Sequence, residues 1–194
     1  MDLIFASNNN GKIVEVQSLI SNNIKIISLK EAGITEAIEE PFHTFRENAW
    51  AKADYVARKT GHACMAEDSG LVVPVLDGAP GVYSARYAGE PTDDAANNRK
   101  LLAAIKDIDS PEAYYQSVIC LILGTNTYYF EGKCPGRLTH DPRGDGGFGY
   151  DPLFIPEGYD ETFAMLSLSE KNKISHRGAA MRQFGAFMNQ WTQG

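Results

Sequence analysis

The sequence predicts an α/β fold whose sheet is partly antiparallel. Short apolar runs at 2–6, 24–29, 63–67 and 71–76 are typical of buried strands, and segments of helical periodicity alternate with them. Residues 117–123 and 127–133 flank a turn at 124–126, as the two strands of a hairpin would. With 194 residues and 43% hydrophobic content, the chain is expected to form a single domain over residues 1–194.

Four helices are predicted from apolar spacing and end signals. Thr44, followed three residues later by Glu47, predicts a capped start for a helix over 44–59. The acids Asp93 and Asp94 favour the start of another helix, which runs to about residue 105. The remaining helices are predicted over 12–20 and from Ser175 to the C-terminal end.

Charge and cysteine content exclude several classes of protein. The formal net charge of −7 argues against broad nucleic-acid binding, which requires a basic face. The three cysteines form no C-x-x-C pair, so they are expected to be reduced thiols in a cytoplasmic protein. Neither a secretion signal nor an apolar run long enough for a membrane span is evident, so no membrane partner is expected.

Two adjacent acids, Glu67 and Asp68, carry the strongest chemical signal. They follow the apolar run 63–66 and precede Ser69 and Gly70, so the strand is predicted to end in acids and then turn. Carboxylates at a strand end can bind Mg²⁺ and orient an attacking water. A solvated turn is the alternative.

Glu39 and Glu40, in an acidic loop, could complete such a metal site. Without that role they are surface acids of an ordinary loop. Lys52 follows Asn48 by one helical turn and could reach a cleft, although the sequence alone favours a solvated lysine.

The segment Ser7-Asn8-Asn9-Asn10-Gly11-Lys12 lies between the first strand and the first helix. The start of a helix presents free backbone N–H groups to an anion, and the lysine adds positive charge. The spacing is not that of a Walker A loop, and an asparagine-rich cap is the alternative interpretation.

Two segments near the C-terminus contain candidate ligand contacts. In the glycine-rich 146–152, Phe148 could stack on a base and Asp151 could accept from it, or Phe148 could simply fill the core. His176 and Arg177 place positive charge where the helix dipole disfavours it. Either an anion or acceptor compensates them, together with Lys171, or they are solvent-exposed.

Six segments, in order along the whole chain, resemble the inosine triphosphate pyrophosphatase family. They are SNNNGK at 7–12, FRENAWAKA at 45–53, AEDSGL at 66–71, GAPGVYSARYAG at 78–89, GGFGYDP at 146–152 and SHRGAA at 175–180. The resemblance implies a long mixed sheet flanked by helices, with two lobes and a central cleft. It also implies a homodimer that uses Mg²⁺ to convert purine nucleoside triphosphates such as ITP, dITP and XTP into monophosphate and pyrophosphate.

The resemblance also implies roles for individual residues. Asp68 becomes the general base and, with Glu67 and Glu40, a metal ligand, while Glu39 is the alternative register for Glu40. Whether Glu67 or Asp68 contacts the metal directly stays open. The implied substrate contacts are Ser7, Asn8, Asn9, Asn10, Gly11, Lys12, Lys52, Ser69, Phe148, Gly149, Tyr150, Asp151, Lys171, His176 and Arg177.

Cationic donors among these residues would match the 6-oxo group of inosine and xanthine and reject the 6-amino group of adenine. The candidates for this role are Lys171, His176 and Arg177. Two alternative functions stay open at this point: a pyrophosphohydrolase for another modified nucleotide, and a nucleotide-binding sensor without turnover.

Overall fold

The computed structural model describes residues 1–20 and 24–191. Within them, helices and strands alternate as far as β4, after which two more strands and then two helices follow. The elements are β1 (Asp2–Phe5), α1 (Asn10–Leu19), β2 (Lys25–Ser28), α2 (Phe45–Thr60), β3 (Cys64–Val72), α3 (Asp94–Ile105), β4 (Glu112–Leu123), β5 (Asn126–Leu138), β6 (Phe154–Pro156), α4 (Leu168–Ile174) and α5 (His176–Trp191), with short 3₁₀ helices at Pro74–Leu76 and Gly81–Arg86.

The six strands form one mixed sheet in the order β2-β1-β3-β4-β5-β6. β1 pairs in parallel with both β2 and β3, whereas β5 pairs antiparallel with β6. The predicted α/β class and mixed sheet are therefore confirmed. None of the described helices is long and apolar enough to cross a membrane.

The chain divides into two compact units. Unit 1 consists of Met1–Asp68, Ser117–Gly132 and Arg177–Gly194, and unit 2 consists of Ser69–Gln116 and Lys133–His176. The prediction of a single domain over 1–194 stays a prediction.

Each unit has its own hydrophobic core. In unit 1, Leu3 and Phe5 of β1 pack with Met65 of β3, residues of β4, and Phe184 of α5. In unit 2, Leu101 and Ile105 of α3 pack with Tyr115, Phe154 and Phe163. The apolar face of α3 is thus anchored in the core of unit 2.

Local end signals explain where the helices start. Thr44 caps α2: its Oγ1 accepts a hydrogen bond from Glu47 N at 3.2 Å and donates to the Glu47 carboxylate at 2.6 Å. Asp93 caps α3 in the same way by accepting from Ala96 N. The first helix begins two residues earlier than predicted, because Asn9 accepts from Lys12 N and acts as its cap.

The predicted turn after Asp68 is wrong. β3 runs without interruption from Cys64 to Val72, so Glu67 and Asp68 lie in the middle of a strand, and the separate strand predicted over 71–76 does not exist. Gly70 is required by close packing: a Cβ there would lie 2.4 Å from Gly81 O and 2.3 Å from Ser84 Oγ. The hairpin strands are also longer than predicted, and neither β6 nor α4 was foreseen.

Candidate functional site

Glu67 and Asp68 are buried acids on β3, with 1% and 5% of their surface exposed. The two carboxylates have different hydrogen-bond partners, although the charge of Lys12 acts on the pKa values of both. They therefore differ in what they can do.

Glu67 is held by a hydroxyl and a guanidinium. Its Oε1 accepts from Ser117 Oγ at 2.7 Å and from Arg177 Nε at 2.9 Å. Arg177 also donates through a second nitrogen to the buried carboxylate of Glu15. Oε2 of Glu67 accepts no hydrogen bond from any described residue, and it lies 3.6 Å from Lys12 Nζ.

The charges in this network fix its ionisation. Burial would raise the pKa of Glu67, but Arg177 and Lys12 outweigh it and hold that pKa well below its usual range. Burial likewise opposes the charge of Arg177, whose pKa is nevertheless raised by Glu67 and Glu15. The Arg177 guanidinium and the Glu67 carboxylate are therefore charged at neutral pH.

Asp68 and Glu40 both lie next to the buried ammonium group of Lys52. Lys52 Nζ donates to Glu40 Oε1 and lies 3.5 Å from Asp68 Oδ1. Asn48, one turn earlier on α2, holds the acidic loop by accepting from Phe42 N at 2.9 Å and donating to Phe42 O at 3.1 Å. Two carboxylates thus converge on one cation, and the loop that carries Glu40 is anchored.

Burial raises the pKa of Asp68 above its ordinary value, even though Lys52 and Lys12 act in the opposite direction. Burial would lower the pKa of Lys52, but the charges of Asp68 and Glu40 outweigh it and raise that pKa. The Lys52 side chain therefore stays positively charged at neutral pH. A carboxylate with a raised pKa is a better proton acceptor near neutral pH.

The N-terminal segment 7–12 forms the start of α1. Ser7 Oγ accepts from Asn9 N, while Asn9 Oδ1 accepts from Lys12 N. Asn8, Asn10 and Gly11 complete the segment, with Asn8 and Asn10 exposed. Burial lowers the pKa of Lys12, with Glu67 opposing the effect.

The residues of unit 1 fit a hard divalent cation that is shared with a polyphosphate. Among residues 1–20 and 24–191, no three His, Cys, Asp or Glu side chains are grouped as an all-protein metal cage would require. Mg²⁺ needs only one or two carboxylates when phosphates and waters supply the rest. Asp68 and Glu40 already converge on a cation, and Oε2 of Glu67 is buried and accepts no hydrogen bond within the part of the chain that the structure describes.

Unit 2 brings together the glycine-rich segment and one of the predicted cations. Asp151 Oδ2 accepts from Phe148 N at 2.9 Å and from Lys171 Nζ at 2.6 Å. Lys171 Nζ lies 5.0 Å from the centre of the half-buried Phe148 ring. Gly147 is required here, since a Cβ would lie 2.0 Å from Asp151 Oδ2.

The remaining predicted contacts, Tyr150, His176 and Ser69, also belong to unit 2. Tyr150 is buried and donates to Ser84 O at 2.8 Å. His176 stacks on Tyr115 with 4.7 Å between ring centres. Ser69 is half-buried in β3 directly after Asp68.

The sequence analysis assigned no functional role to Glu15, Ser117, Asp94 or Asn98. Glu15 is buried next to Val16 on α1. The hydropathy pattern of a helix does not distinguish a single buried acid from an exposed one. Ser117 was noted only as a strand residue. The partners of Asp94 and Asn98 are more than 50 residues distant in sequence, so no local signal could have found them.

Two buried carboxylates and two lysines, carried by a mixed sheet and its helices, define an α/β protein whose site suits a polyanion and a divalent cation. The chain belongs to the Ham1 family, whose model matches residues 3–187. It is similar to a dITP/XTP pyrophosphatase of Flavobacterium psychrophilum, with 49% identity over 182 residues covering 94% of this chain and 96% of that protein. A dITP/XTP pyrophosphatase of Christiangramia forsetii is 46% identical over 97% of this chain and 100% of its own length.

Solved structures agree with this assignment. A HAM1 protein from Coxiella burnetii superposes with a TM-score of 0.90 at 37% identity, over 98% of this chain and 99% of that one. The family recognised from six sequence segments is therefore confirmed.

Proposed function

We propose that this protein hydrolyses deaminated purine nucleoside triphosphates, among them dITP, ITP and XTP, to the monophosphate and pyrophosphate. The observation that carries the proposal is the buried group of Asp68, Lys52 and Glu40, in which two carboxylates face one cation. Relatives at 46–49% identity are named dITP/XTP pyrophosphatases.

The triphosphate is assigned to unit 1. Lys12 and Lys52 provide positive charge inside a chain whose net charge is −7. The segment 7–12 adds the backbone N–H groups of the start of α1, where anions are favoured. An acidic protein must gather its cations in this way to hold a polyanion.

Asp68 and Glu40 would hold Mg²⁺ together with the substrate phosphates, and Oε2 of Glu67 is the third available oxygen. When bound, the cation neutralises charge that develops on the phosphate oxygens. Within the protein alone, Lys52 holds the two carboxylates in place.

Asp68 acts as the general base. Its carboxylate accepts a proton from water while the water oxygen forms a bond to the α-phosphorus and the bond from that phosphorus to the bridging oxygen breaks. Pyrophosphate leaves with the bonding electrons, and Lys12 and Lys52 stabilise its charge.

Base recognition is assigned to unit 2. The ring of Phe148 offers a flat surface for the purine, and Lys171, fixed by Asp151, offers a donor for the 6-oxo group. Adenine has an amino group at that position, so a buried donor would stay unpaired. Gly149, Tyr150 and His176 complete the predicted contacts of this unit.

Arg177 is assigned a different role from base contact. Its guanidinium is engaged by Glu15 and Glu67 within unit 1, so we propose that it positions Glu67. Lys171 is then the favoured donor to the base. Homodimer formation and a cytoplasmic location stay predictions.

Product analysis with a panel of ITP, XTP, GTP, ATP and dUTP tests the proposal. Pyrophosphate and monophosphate should appear from ITP and XTP with Mg²⁺, and the rate should fall to background with EDTA. Tight binding of ITP without pyrophosphate release would favour a sensor instead. Preferred turnover of dUTP or another nucleotide would leave the chemistry intact but overturn the assigned substrate.

A further inference from the structure

Gly149, at the centre of the base-recognition segment, is held at both of its backbone groups by one helix. Asp94 Oδ2 accepts from Gly149 N at 2.7 Å, and Asn98 Nδ2 donates to Gly149 O at 2.8 Å. Asp94 and Asn98 are one turn apart on α3, and Asn98 also donates to Asp94 O at 2.9 Å. The two side chains therefore form a clip around a single residue.

Gly149 has open space on the side where a side chain would lie. Its φ of +63° lies in the left-handed region, and a Cβ at this position would meet nothing within 4 Å. Glycine reaches this region without strain and is free to leave it, so its conformation does not by itself hold the backbone in place. Among the described contacts, the two hydrogen bonds from the clip hold it, and the one to a carboxylate is of the stronger kind.

The clip rests on a rigid element. Leu101 and Ile105 anchor α3 in the core of unit 2, and Asp93 caps its start. Phe148 N donates to Asp151, and Tyr150 donates to Ser84 O, so residues on both sides of Gly149 are also fixed. With the clip, each of the three consecutive residues Phe148, Gly149 and Tyr150 has at least one hydrogen bond that fixes its position.

Asn98 has a buried side-chain oxygen that lacks a hydrogen-bond donor among the described residues, and the role of its amide group as a donor explains why this unfavourable arrangement is present. Its Oδ1 is buried and accepts no hydrogen bond within residues 1–20 and 24–191, whereas its Nδ2 serves two carbonyls. Buried acceptors without partners are rare because they are destabilising. An apolar residue at position 98 would avoid that cost but would leave Gly149 O without its donor.

We propose that Asp94 and Asn98 are positioning residues for purine recognition, which they serve by fixing Gly149 and thereby the orientation of the Phe148 ring. The proposal rests on the proposed function of 146–151 as the base-recognition segment. Neither side chain need touch the substrate. Both act through the backbone that carries the aromatic ring, so they affect the base and leave the phosphates alone.

The test compares three variants with a matched control on the same helix. Asp94→Ala and Asn98→Ala each remove one side of the clip, and Asp94→Asn keeps an acceptor at the same place. Asp93→Ala removes the cap of α3 but keeps both side chains of the clip, so it reports what helix destabilisation does while the clip residues are present. For each protein, amide hydrogen exchange at Gly149, the Kd values of dIMP and of pyrophosphate, and kcat and KM for dITP with Mg²⁺ are measured.

The clip predicts a selective loss. In Asp94→Ala and Asn98→Ala, exchange at Gly149 should accelerate, and Kd for dIMP and KM for dITP should rise roughly 5- to 10-fold, the effect of one hydrogen bond. The Kd of pyrophosphate and kcat should change less than about 2-fold. Asp94→Asn should recover most of the loss, and Asp93→Ala should show none of it despite a similar fall in Tm.

Unchanged dIMP affinity in both alanine variants would overturn the proposal. So would an equal loss of dIMP and pyrophosphate affinity, or the same loss in Asp93→Ala. Failure of the proposed function has a different signature: the wild-type protein would release no pyrophosphate from dITP. If that wild-type protein still bound dIMP through the clip, positioning would stand without turnover, and if it bound no dIMP, both would fall.

Discussion

Removing Arg177 should destabilise the protein far more than removing a surface arginine. Arg177 is 1% exposed and pairs with two carboxylates, Glu67 and Glu15, whose side chains are 0% and 4% exposed. In Arg177→Met, two buried negative charges lose their common partner, and water cannot replace it. Methionine has a similar length, so the change removes charge and hydrogen bonds more than volume.

The expected cost is about 3–5 kcal/mol, the usual effect of breaking a buried ion pair from one side. For a chain of this size, Tm falls by about 2–4 °C for each kcal/mol, so a fall of roughly 6–20 °C is expected. The matched control is Arg58→Met: the Arg58 side chain is 75% exposed and pairs with Asp54. Such an exposed pair contributes at most about 1 kcal/mol.

The pH dependence gives a second readout. In the wild type, the pKa of Glu67 is lowered, so its contribution to stability is present above its unfolded pKa of about 4.3 and is lost as the pH falls below it. Without Arg177, burial raises the pKa of Glu67, so protonation relieves the cost as the pH falls. The deficit of Arg177→Met should therefore be largest near pH 8 and smaller near pH 5.

Thermal unfolding followed by circular dichroism, with EDTA in all samples, measures both effects. The double variant Arg177→Met, Glu67→Gln should recover part of the lost Tm, because one of the two orphaned charges is gone. A Tm for Arg177→Met within about 2 °C of the wild type would refute the buried network. A deficit as small as that of Arg58→Met would do the same.

Three further predictions concern single residues. Asp68→Asn should lower the rate of pyrophosphate release at least ~100-fold without a large fall in Tm, and near-normal turnover with Mg²⁺ would remove Asp68 as the base. Lys12→Ala and Lys52→Ala should weaken a non-hydrolysable triphosphate more than the monophosphate in calorimetry, and equal weakening would place neither lysine at the polyphosphate. Gly70→Ala should cost about 1–3 kcal/mol in chemical denaturation, since its Cβ would lie 2.4 Å from Gly81 O, and wild-type stability would contradict that close contact.

Local chemistry made much of the fold predictable. The starts of α2 and α3 follow from Thr44 and Asp93, which satisfy backbone N–H groups within three residues of themselves. The parallel strands were visible as apolar runs. Helix caps and apolar periodicity depend on residues that are only a few positions apart, so they can be recognised in a single sequence.

Tertiary contacts limited what could be predicted. Ser69 and Gly70 have the composition of a turn, yet β3 continues through them because Gly70 makes room for Gly81 and Ser84. Glu15 and Arg177 are separated by 162 residues and form a buried ion pair that the local sequence around neither residue could predict. Lys52 could not be separated from a solvated lysine until the positions of Glu40 and Asp68 were known.

The same limit applies to the base-recognition segment. The glycines and Phe148 made this segment recognisable in the sequence, but nothing in the sequence indicated that α3 holds it. Asp94 was predicted as a first-turn acid, a role that explains its position on α3 but not its bond to Gly149. Asn98 carried no signal at all.

Hydrolysis of dITP in ¹⁸O-labelled water tests the central claim most directly. If Asp68 activates a water that attacks the α-phosphorus, mass spectrometry should find one ¹⁸O atom in dIMP and none in pyrophosphate. Label in pyrophosphate would mean attack at the β-phosphorus, and labelled orthophosphate with dIDP would mean attack at the γ-phosphorus. Either result would contradict the assigned chemistry.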